Sequence, residues 1–241
     1  MRRLVAVALA ALALPASVSA GTQITVFGAA SLTNVFLRID GGERYSFAGS
    51  DQLALQIREG APADVYAAAS PKYTQQLYRD GLVRKPVVFA TNKLIILVPR
   101  SNPAKIRSVY DLRRRGVKIV IGDSAVPIGA YTRQILNKLG ITADVAKNVV
   151  SQETDVKGIV SKVALGEADA GFVYRTDAKP VASATRSVAL PAWAQPPIRY
   201  ELAVVKASKH RAAAAVFVRK VLSKRGRMLL AKAGFGLPKR S

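Results

Sequence analysis

The fold of this chain is decided by the stretch Ile24-Thr25-Val26-Phe27-Gly28-Ala29-Ala30-Ser31-Leu32-Thr33-Asn34. It predicts a hydrophobic strand that ends in small residues and turns directly into a helix. Such a turn leaves backbone N–H groups and the Ser31 hydroxyl pointing into open space, which is how proteins hold anions without a charged side chain. The same arrangement recurs at Phe47-Ala48-Gly49-Ser50. Two such turns predict a binding site for an oxyanion.

Strands and helices alternate along the chain. Strands are predicted at residues 24–27, 44–47, 64–68, 93–98, 118–121, 170–173 and 199–205, and helices from residue 33 and at 52–59, 72–80, 109–115, 131–139, 156–165, 211–222 and 225–231. This alternation predicts an α/β protein of two lobes, each a mainly parallel sheet flanked by helices.

Two extended segments are predicted to cross between the lobes, at residues 93–100 and 199–205. Lobe I is then expected to contain residues 21–97 and 200–241, and lobe II residues 98–199. Two crossing strands make a hinge, so the cleft between the lobes can close on a ligand.

The first residues predict export. Residues 1–20 have the pattern of a secretory signal peptide, with Arg2 and Arg3, an apolar core at residues 4–14 and a small-residue cleavage site at Val18-Ser19-Ala20. The apolar core is shorter than the roughly 20 residues that span a bilayer. The sequence has no cysteine, which excludes disulfides, thiolate metal sites and a cysteine-linked lipid anchor. We expect an exported, periplasmic or extracytoplasmic monomer without a lipid anchor.

Positive charge dominates the composition. The formal net charge is +22, which by itself favours partners such as nucleic acid or anionic lipid. The basic residues are scattered through predicted helices, and no aromatic-rich RNA-binding signature accompanies them. A solvated basic surface is therefore the preferred interpretation, and no nucleic-acid partner is expected.

The best alternative from another functional class is an esterase. Ile121-Gly122-Asp123-Ser124 resembles the nucleophile block of GDSL-type esterases, with Ser124 as the attacking group. That chemistry needs a histidine base shortly after an aspartate. The only histidine, His210, follows Ala207-Ser208-Lys209 instead. We therefore expect no enzymatic activity, and a His-rich metal site is excluded as well.

Several segments, taken together, carry a family resemblance. Besides residues 26–34 and 47–50 they are residues 56–64, Gly122-Asp123, Val126-Pro127-Ile128-Gly129-Ala130-Tyr131, Asp155-Val156-Lys157-Gly158, and Gly171-Phe172-Val173-Tyr174 followed by Asp177. In these segments the chain resembles the periplasmic molybdate-binding proteins of ABC importers, which are type II solute-binding proteins. The resemblance implies a two-lobe type II periplasmic-binding-protein fold and, as partners, ABC permease subunits with a cytoplasmic ATPase.

The resemblance also implies the ligand and its site. One molybdate or tungstate ion is expected between the lobes, with no other cofactor. Its donors would be Ser31 and Ser50 from the first lobe, and Ile128, Val156 and Tyr174 from the second. Ile128 and Val156 can act only through main-chain N–H groups, because their side chains carry no donor. The alternative is that the serines cap helices and that Tyr174 is an ordinary core tyrosine.

Donor chemistry indicates which anions such a site refuses. Near neutral pH phosphate retains a proton that needs an acceptor, whereas molybdate, tungstate and sulfate need donors only. Rejecting sulfate depends on cavity size, so sulfate, phosphate or another oxyanion in the same fold stays an alternative. Asp51 follows Ser50 directly, and we predict that its carboxylate points outward or caps its own helix. Ile128 is larger than the residue often found there in the family, and either narrows the pocket or leaves the backbone contact intact.

Overall fold

Two five-stranded sheets organise the described chain. The computed structural model describes residues 22–238, so the predicted signal peptide at residues 1–20 lies outside the described residues. The strands are β1 (Thr25–Ala29), β2 (Arg44–Ala48), β3 (Val65–Ala68), β4 (Val87–Asn92), β5 (Leu94–Pro99), β6 (Ile119–Gly122), β7 (Val149–Glu153), β8 (Ala170–Tyr174), β9 (Thr185–Ala189) and β10 (Ile198–Val204). The α-helices are α1 (Thr33–Ile39), α2 (Ser50–Arg58), α3 (Pro71–Arg79), α4 (Pro127–Lys138), α5 (Thr142–Ala146), α6 (Val156–Ala164), α7 (Arg175–Ala178), α8 (Arg211–Leu222) and α9 (Lys224–Ala233). Short 3-10 turns occupy Ala30–Leu32, Val109–Arg113, Lys179–Val181 and Ala192–Ala194.

Both sheets have the same strand arrangement. The lobe I sheet has the order β2-β1-β3-β10-β4 and the lobe II sheet the order β7-β6-β8-β5-β9. In lobe I, β1 pairs in parallel with β2 and β3, and β10 is antiparallel to both β3 and β4. In lobe II, β6 pairs in parallel with β7 and β8, and β5 is antiparallel to β8 and β9. Four of the five strands in each sheet therefore run in one direction, which confirms the predicted mainly parallel α/β fold.

Helices cover both faces of the lobe I sheet. Alternate strand residues such as Val65 and Leu202 pack with α1 and α8 on one face, whereas Tyr66 and Ala203 pack with α2 and α3 on the other. Fully buried strands covered on both faces are typical of parallel sheets. Among residues 22–238, none of the helices combines the length and the apolar character needed to cross a bilayer.

The chain changes sheet at two places. Only Lys93 separates β4 in lobe I from β5 in lobe II, and residues 190–197 carry the chain back from β9 to β10. The boundary expected after residue 97 therefore falls inside β5, and the one expected after residue 199 falls inside β10. The two crossings are pinned together, since the Gln195 amide accepts from the Leu94 N–H at 3.0 Å and donates to the Leu94 carbonyl at 2.7 Å. These two short crossings are the connections predicted to act as the hinge.

Three buried phenols generate a prediction about alkaline pH. Tyr66, Tyr174 and Tyr200 are at most 2% exposed, and burial raises the pKa of each well above the usual value of about 10. The folded protein thus keeps protons that the unfolded chain releases above about pH 10, so stability is full below that pH and falls above it. We expect Tyr66→Phe to reduce this fall by about 1.4 kcal/mol per pH unit, measured by urea unfolding at several alkaline pH values.

The exposed Tyr78 provides the matched control. Its side chain is 42% exposed, so Tyr78→Phe controls for the general effect of a tyrosine-to-phenylalanine change on the unfolding free energy. An equal slope for the native protein and Tyr66→Phe would contradict the expected pKa shift.

Candidate anion-binding site

A small cavity lies between the lobes, where β1, β2, β6 and β7 end. The volume of this cavity is about 20 Å³. Pockets for drug-sized ligands measure roughly 300–1,000 Å³. The wall consists of four turns, residues 29–31, 48–50, 126–128 and 155–156, together with Ala69 and Tyr174. The cavity therefore suits one small ion and is too small for a sugar or an amino acid.

All five residues predicted for the site line this one cavity: Ser31, Ser50, Ile128, Val156 and Tyr174. They are buried, with exposed fractions between 1% and 7%. Each of the four turns leads into a helix, and the first N–H groups of a helix have no acceptor within it. The aligned peptide dipoles also make a helix start partly positive. The two lobes thus face each other with unpaired donors. No cationic side chain is among the described residues that line the cavity, and the one carboxylate there, Asp155, accepts from N–H groups of its own helix.

Neither serine caps its helix. The residues that precede the helical turns are Ala29 and Gly49, and no side-chain cap is formed at either position. The Ser50 hydroxyl instead accepts a hydrogen bond from the Ala69 N–H at 3.1 Å, and the Ser31 hydroxyl lies 2.9 Å from the hydroxyl of Tyr200. Because Ser50 already accepts from the backbone, its own proton is available to a ligand. The sequence reasoning did not anticipate Tyr200 or Ala69.

Tyr174 ends β8 and presents its hydroxyl to the cavity. This oxygen is buried and has no hydrogen-bond partner within the described part of the chain. Burial, together with the neighbouring Tyr200, raises the pKa of Tyr174, so the phenol keeps its proton and can donate. A buried polar group without a partner costs about 1–3 kcal/mol. An ordinary core tyrosine would have its hydroxyl satisfied locally, whereas this one lacks an acceptor of the kind that an anion supplies.

The backbone donors come from α4 and α6. Pro127 occupies the first turn of α4, where its missing N–H costs nothing, and the next residue is Ile128. The Ile128 side chain packs against Gly122, since a Cβ on that glycine would lie 2.7 Å from Ile128 Cγ2. Asp155 caps α6 by accepting from the N–H groups of Lys157 and Gly158. That cap leaves the Val156 N–H for the cavity.

Asp51 lies beside the cavity and not in its wall. Its Oδ1 sits next to Gly49 at the start of α2 and has no hydrogen-bond partner in the described chain. Burial raises the pKa of this carboxyl, and the N–H groups of Asp51 and Gln52 partly offset that effect. No side-chain cap forms at the start of α2, so the outward or capping position of the Asp51 carboxylate stays a prediction.

The lobes touch across the cleft near Gly49. A Cβ placed on Gly49 would lie 2.6 Å from the Thr154 carbonyl oxygen of lobe II. The Tyr73 hydroxyl of lobe I donates to the Ala125 carbonyl of lobe II. These contacts bring the two halves of the donor set together.

A basic cleft adjoins the anion cavity. Ser31 lines both, and the cleft has a volume of about 350 Å³. Its cationic residues are Arg38, Lys157, Lys179 and Lys232, and within residues 22–238 no carboxylate lines it. Lys157 is paired with the buried Asp177 at 3.1 Å. The four cations come from separate elements of both lobes, so the sequence alone gave no signal for this cleft.

The esterase alternative finds no supporting geometry. Ser124 is exposed in a lobe II turn, whereas His210 lies in lobe I with its Nδ1 3.3 Å from Asp64 Oδ1. Within residues 22–238 we find no cluster of three or more histidine, cysteine, aspartate or glutamate side chains arranged to hold a metal ion.

Comparison with known proteins agrees with this geometry. The molybdate-binding protein ModA of Mycobacterium tuberculosis is 39% identical over 93% of this chain and 90% of its own length. The structure of the periplasmic molybdate-binding protein of Azotobacter vinelandii matches with a TM-score of 0.77 at 23% identity, over 90% of this chain and all of that one. The sulfate-binding protein SubI of Mycobacterium tuberculosis matches with a TM-score of 0.75 at 20% identity, over 89% of this chain and 86% of that one, so this fold serves more than one oxyanion. A profile of the bacterial extracellular solute-binding proteins matches residues 44–236, and the chain belongs to that family.

Proposed function

We propose that this chain is the exported solute-binding component of an ABC importer and that it captures molybdate or tungstate between its lobes. The observation that carries the proposal is the convergence of uncharged donors from both lobes on one ion-sized cavity, with the Tyr174 hydroxyl lacking an acceptor. The ligand is cargo that a membrane permease with a cytoplasmic ATPase takes over. The protein acts as a monomer, with neither a resident cofactor nor catalysis.

The strength of such a site follows from its donors. A tetrahedral dianion offers four acceptor oxygens, and each hydrogen bond to a charged group contributes about 1.5–3 kcal/mol. About six or seven of them give a gross of about 10–20 kcal/mol, against an association cost of roughly 4–15 kcal/mol. Micromolar or tighter affinity is attainable without a cation in the cavity.

Sulfate is the closest competing ligand. It has the same charge and shape as molybdate and also needs donors only. The kinship with ModA proteins favours molybdate, and the likeness to a sulfate-binding protein keeps sulfate as the competitor to test. Titration with molybdate, tungstate, sulfate and phosphate separates these possibilities in one calorimetric series. If the native protein bound sulfate more tightly than molybdate, the proposed cargo would be wrong.

Two substitutions test the donors. Ser31→Ala and Tyr174→Phe each remove one hydroxyl, so each should weaken molybdate binding by about 1–3 kcal/mol. The free energy of unfolding of the ligand-free protein should change little for Tyr174→Phe, which loses an unpaired group. It should fall by about 1–3 kcal/mol for Ser31→Ala, because the buried Tyr200 hydroxyl then loses its partner. Isothermal titration calorimetry gives the affinity and urea unfolding gives the stability.

Matched controls use the same chemistry away from the cavity. Ser46→Ala on β2 and Tyr78→Phe on α3 remove a hydroxyl from residues that do not line the cavity, and both should bind molybdate as the native protein does. Unchanged affinity in both Ser31→Ala and Tyr174→Phe would remove these residues from the site.

Closure of the cleft can be tested at Gly49. An alanine Cβ there would lie 2.6 Å from the Thr154 carbonyl oxygen, so the lobes of Gly49→Ala cannot approach as closely. We expect molybdate affinity to fall by about 1–3 kcal/mol, the usual cost of overpacking, and small-angle scattering to show less compaction on adding molybdate.

Gly42→Ala is the control for the glycine change. Its Cβ would meet Asp40 Oδ1 at 3.6 Å, an ordinary contact, on the surface of lobe I. Native affinity and full compaction in Gly49→Ala would show that this contact does not limit closure.

A further inference from the structure

A chain of buried polar groups leads from the hinge to the cavity. Asn92 ends β4 beside the hinge residue Lys93, and its Nδ2 lies 3.4 Å from the Tyr200 hydroxyl. The Tyr200 hydroxyl in turn lies 2.9 Å from Ser31 Oγ. Asn92 and Ser31 are 7% exposed and Tyr200 is fully buried. Water therefore does not compete for these groups, so each of them needs a hydrogen-bond partner within the protein.

The backbone of the hinge sets the orientation of the Asn92 amide. Its Oδ1 accepts from the Lys93 N–H at 2.9 Å. Its Nδ2 faces the other way, donating to the Thr176 hydroxyl at 3.0 Å and to the Tyr200 hydroxyl at 3.4 Å. An amide nitrogen can only donate, so both of its protons are used and Tyr200 must accept from it.

This orientation gives the chain a direction. In the described part of the protein, the Tyr200 hydroxyl is hydrogen-bonded to Asn92 and Ser31, and its ring packs edge-on against the ring of Tyr174. Since Asn92 donates to it, the Tyr200 proton goes to Ser31 Oγ. The Ser31 O–H group then points into the cavity and can donate a hydrogen bond there. Linked hydrogen bonds of this kind polarise one another, which strengthens the final donor.

We propose that Asn92, acting through Tyr200, is a specificity-determining residue that makes Ser31 an obligatory donor and so disfavours oxyanions that carry a proton, because they find no acceptor at Ser31. The proposal rests on the proposed function of the cavity. On the Ser31 side of the cavity, a monohydrogen anion such as hydrogen phosphate or hydrogen arsenate would have to donate to Ser31. Ser31 would then donate to Tyr200, and Tyr200 to Asn92, where an N–H group already points at it. With the hydrogen bonds in this reversed direction, the Tyr200 proton finds no acceptor at Asn92, because an amide nitrogen only donates.

Asn92→Asp supplies the missing acceptor with almost no change in shape. A carboxylate oxygen in place of Nδ2 accepts from Tyr200, so Tyr200 can accept from Ser31, and Ser31 can accept the proton of hydrogen phosphate. The added negative charge weakens the binding of every dianion. The informative quantity is therefore the ratio of two dissociation constants, hydrogen phosphate to sulfate, because these anions share charge and approximate size and differ in the proton.

The experiment measures competition of sulfate and phosphate against molybdate by calorimetry, at a pH where phosphate is mostly the monohydrogen dianion. We expect Asn92→Asp to lower the ratio of the hydrogen phosphate and sulfate dissociation constants by about tenfold, the effect of one buried hydrogen bond. The double variant Asn92→Asp/Tyr200→Phe breaks the chain and should return the ratio to its native value.

Asn34→Asp is the matched charge control. Asn34 is exposed and lines the basic cleft next to Ser31, and no side-chain hydrogen bond joins it to Tyr200 or Ser31 within residues 22–238. The same chemical change there should weaken both anions in equal proportion and leave the ratio unaltered.

The possible results distinguish a failure of this proposal from a failure of the proposed function. A native protein that fails to bind molybdate overturns the function. Molybdate binding by the native protein together with an unchanged ratio in Asn92→Asp overturns the role of Asn92 alone. If circular dichroism shows that Asn92→Asp does not fold, Tyr200→Phe takes its place. It should weaken molybdate binding by about tenfold, whereas the control Tyr45→Phe, whose hydroxyl donates to the Asp40 carbonyl away from the cavity, should not, and equal affinities would overturn the proposal.

Discussion

The structure depends on unpaired donors at facing helix starts. Four turns that follow strand ends bring backbone N–H groups and hydroxyls to one cavity, and only an acceptor from outside the protein can satisfy them together. Buried donors without acceptors are costly, so the closed arrangement of the lobes favours an anionic guest. The repeated sheet topology serves this constraint, because the parallel strands β1, β2, β6 and β7 end on the cleft side of their lobes.

The sequence predicted the strands and helices that contain a strong apolar run or end at a glycine. It missed β7 and β9, which lie at a sheet edge and consist mainly of exposed and half-buried residues, so their hydrophobic signal is weak. It also missed β4, because only Lys93 separates this strand from β5 and no glycine or proline marks the boundary. α4 begins at Pro127, earlier than predicted, since proline suits the first turn of a helix.

The site was predictable to the extent that its signals are local. Ser31 and Ser50 each follow a strand directly, and family motifs surround Ile128, Val156 and Tyr174. The groups that orient these donors come from distant parts of the chain. Tyr200 is 169 residues from Ser31, and the pairing of β10 with β3, next to β1, brings them together. No spacing rule within one sequence encodes such a contact, because it depends on how the two crossings place β4 and β10 beside the first turn.

Charge and selectivity are divided between different parts of the cleft. The basic cleft attracts any anion, and salt weakens this attraction because the Debye length is about 8 Å at physiological ionic strength. The cavity itself contains no cation among the residues that line it. A lysine there would bind every dianion through a flexible point charge, whereas fixed hydroxyls and N–H groups respond to size and to the presence of a proton. Attraction at a distance and discrimination on contact can therefore be adjusted separately, one by surface charge and the other by the hydrogen-bond direction of a few buried groups.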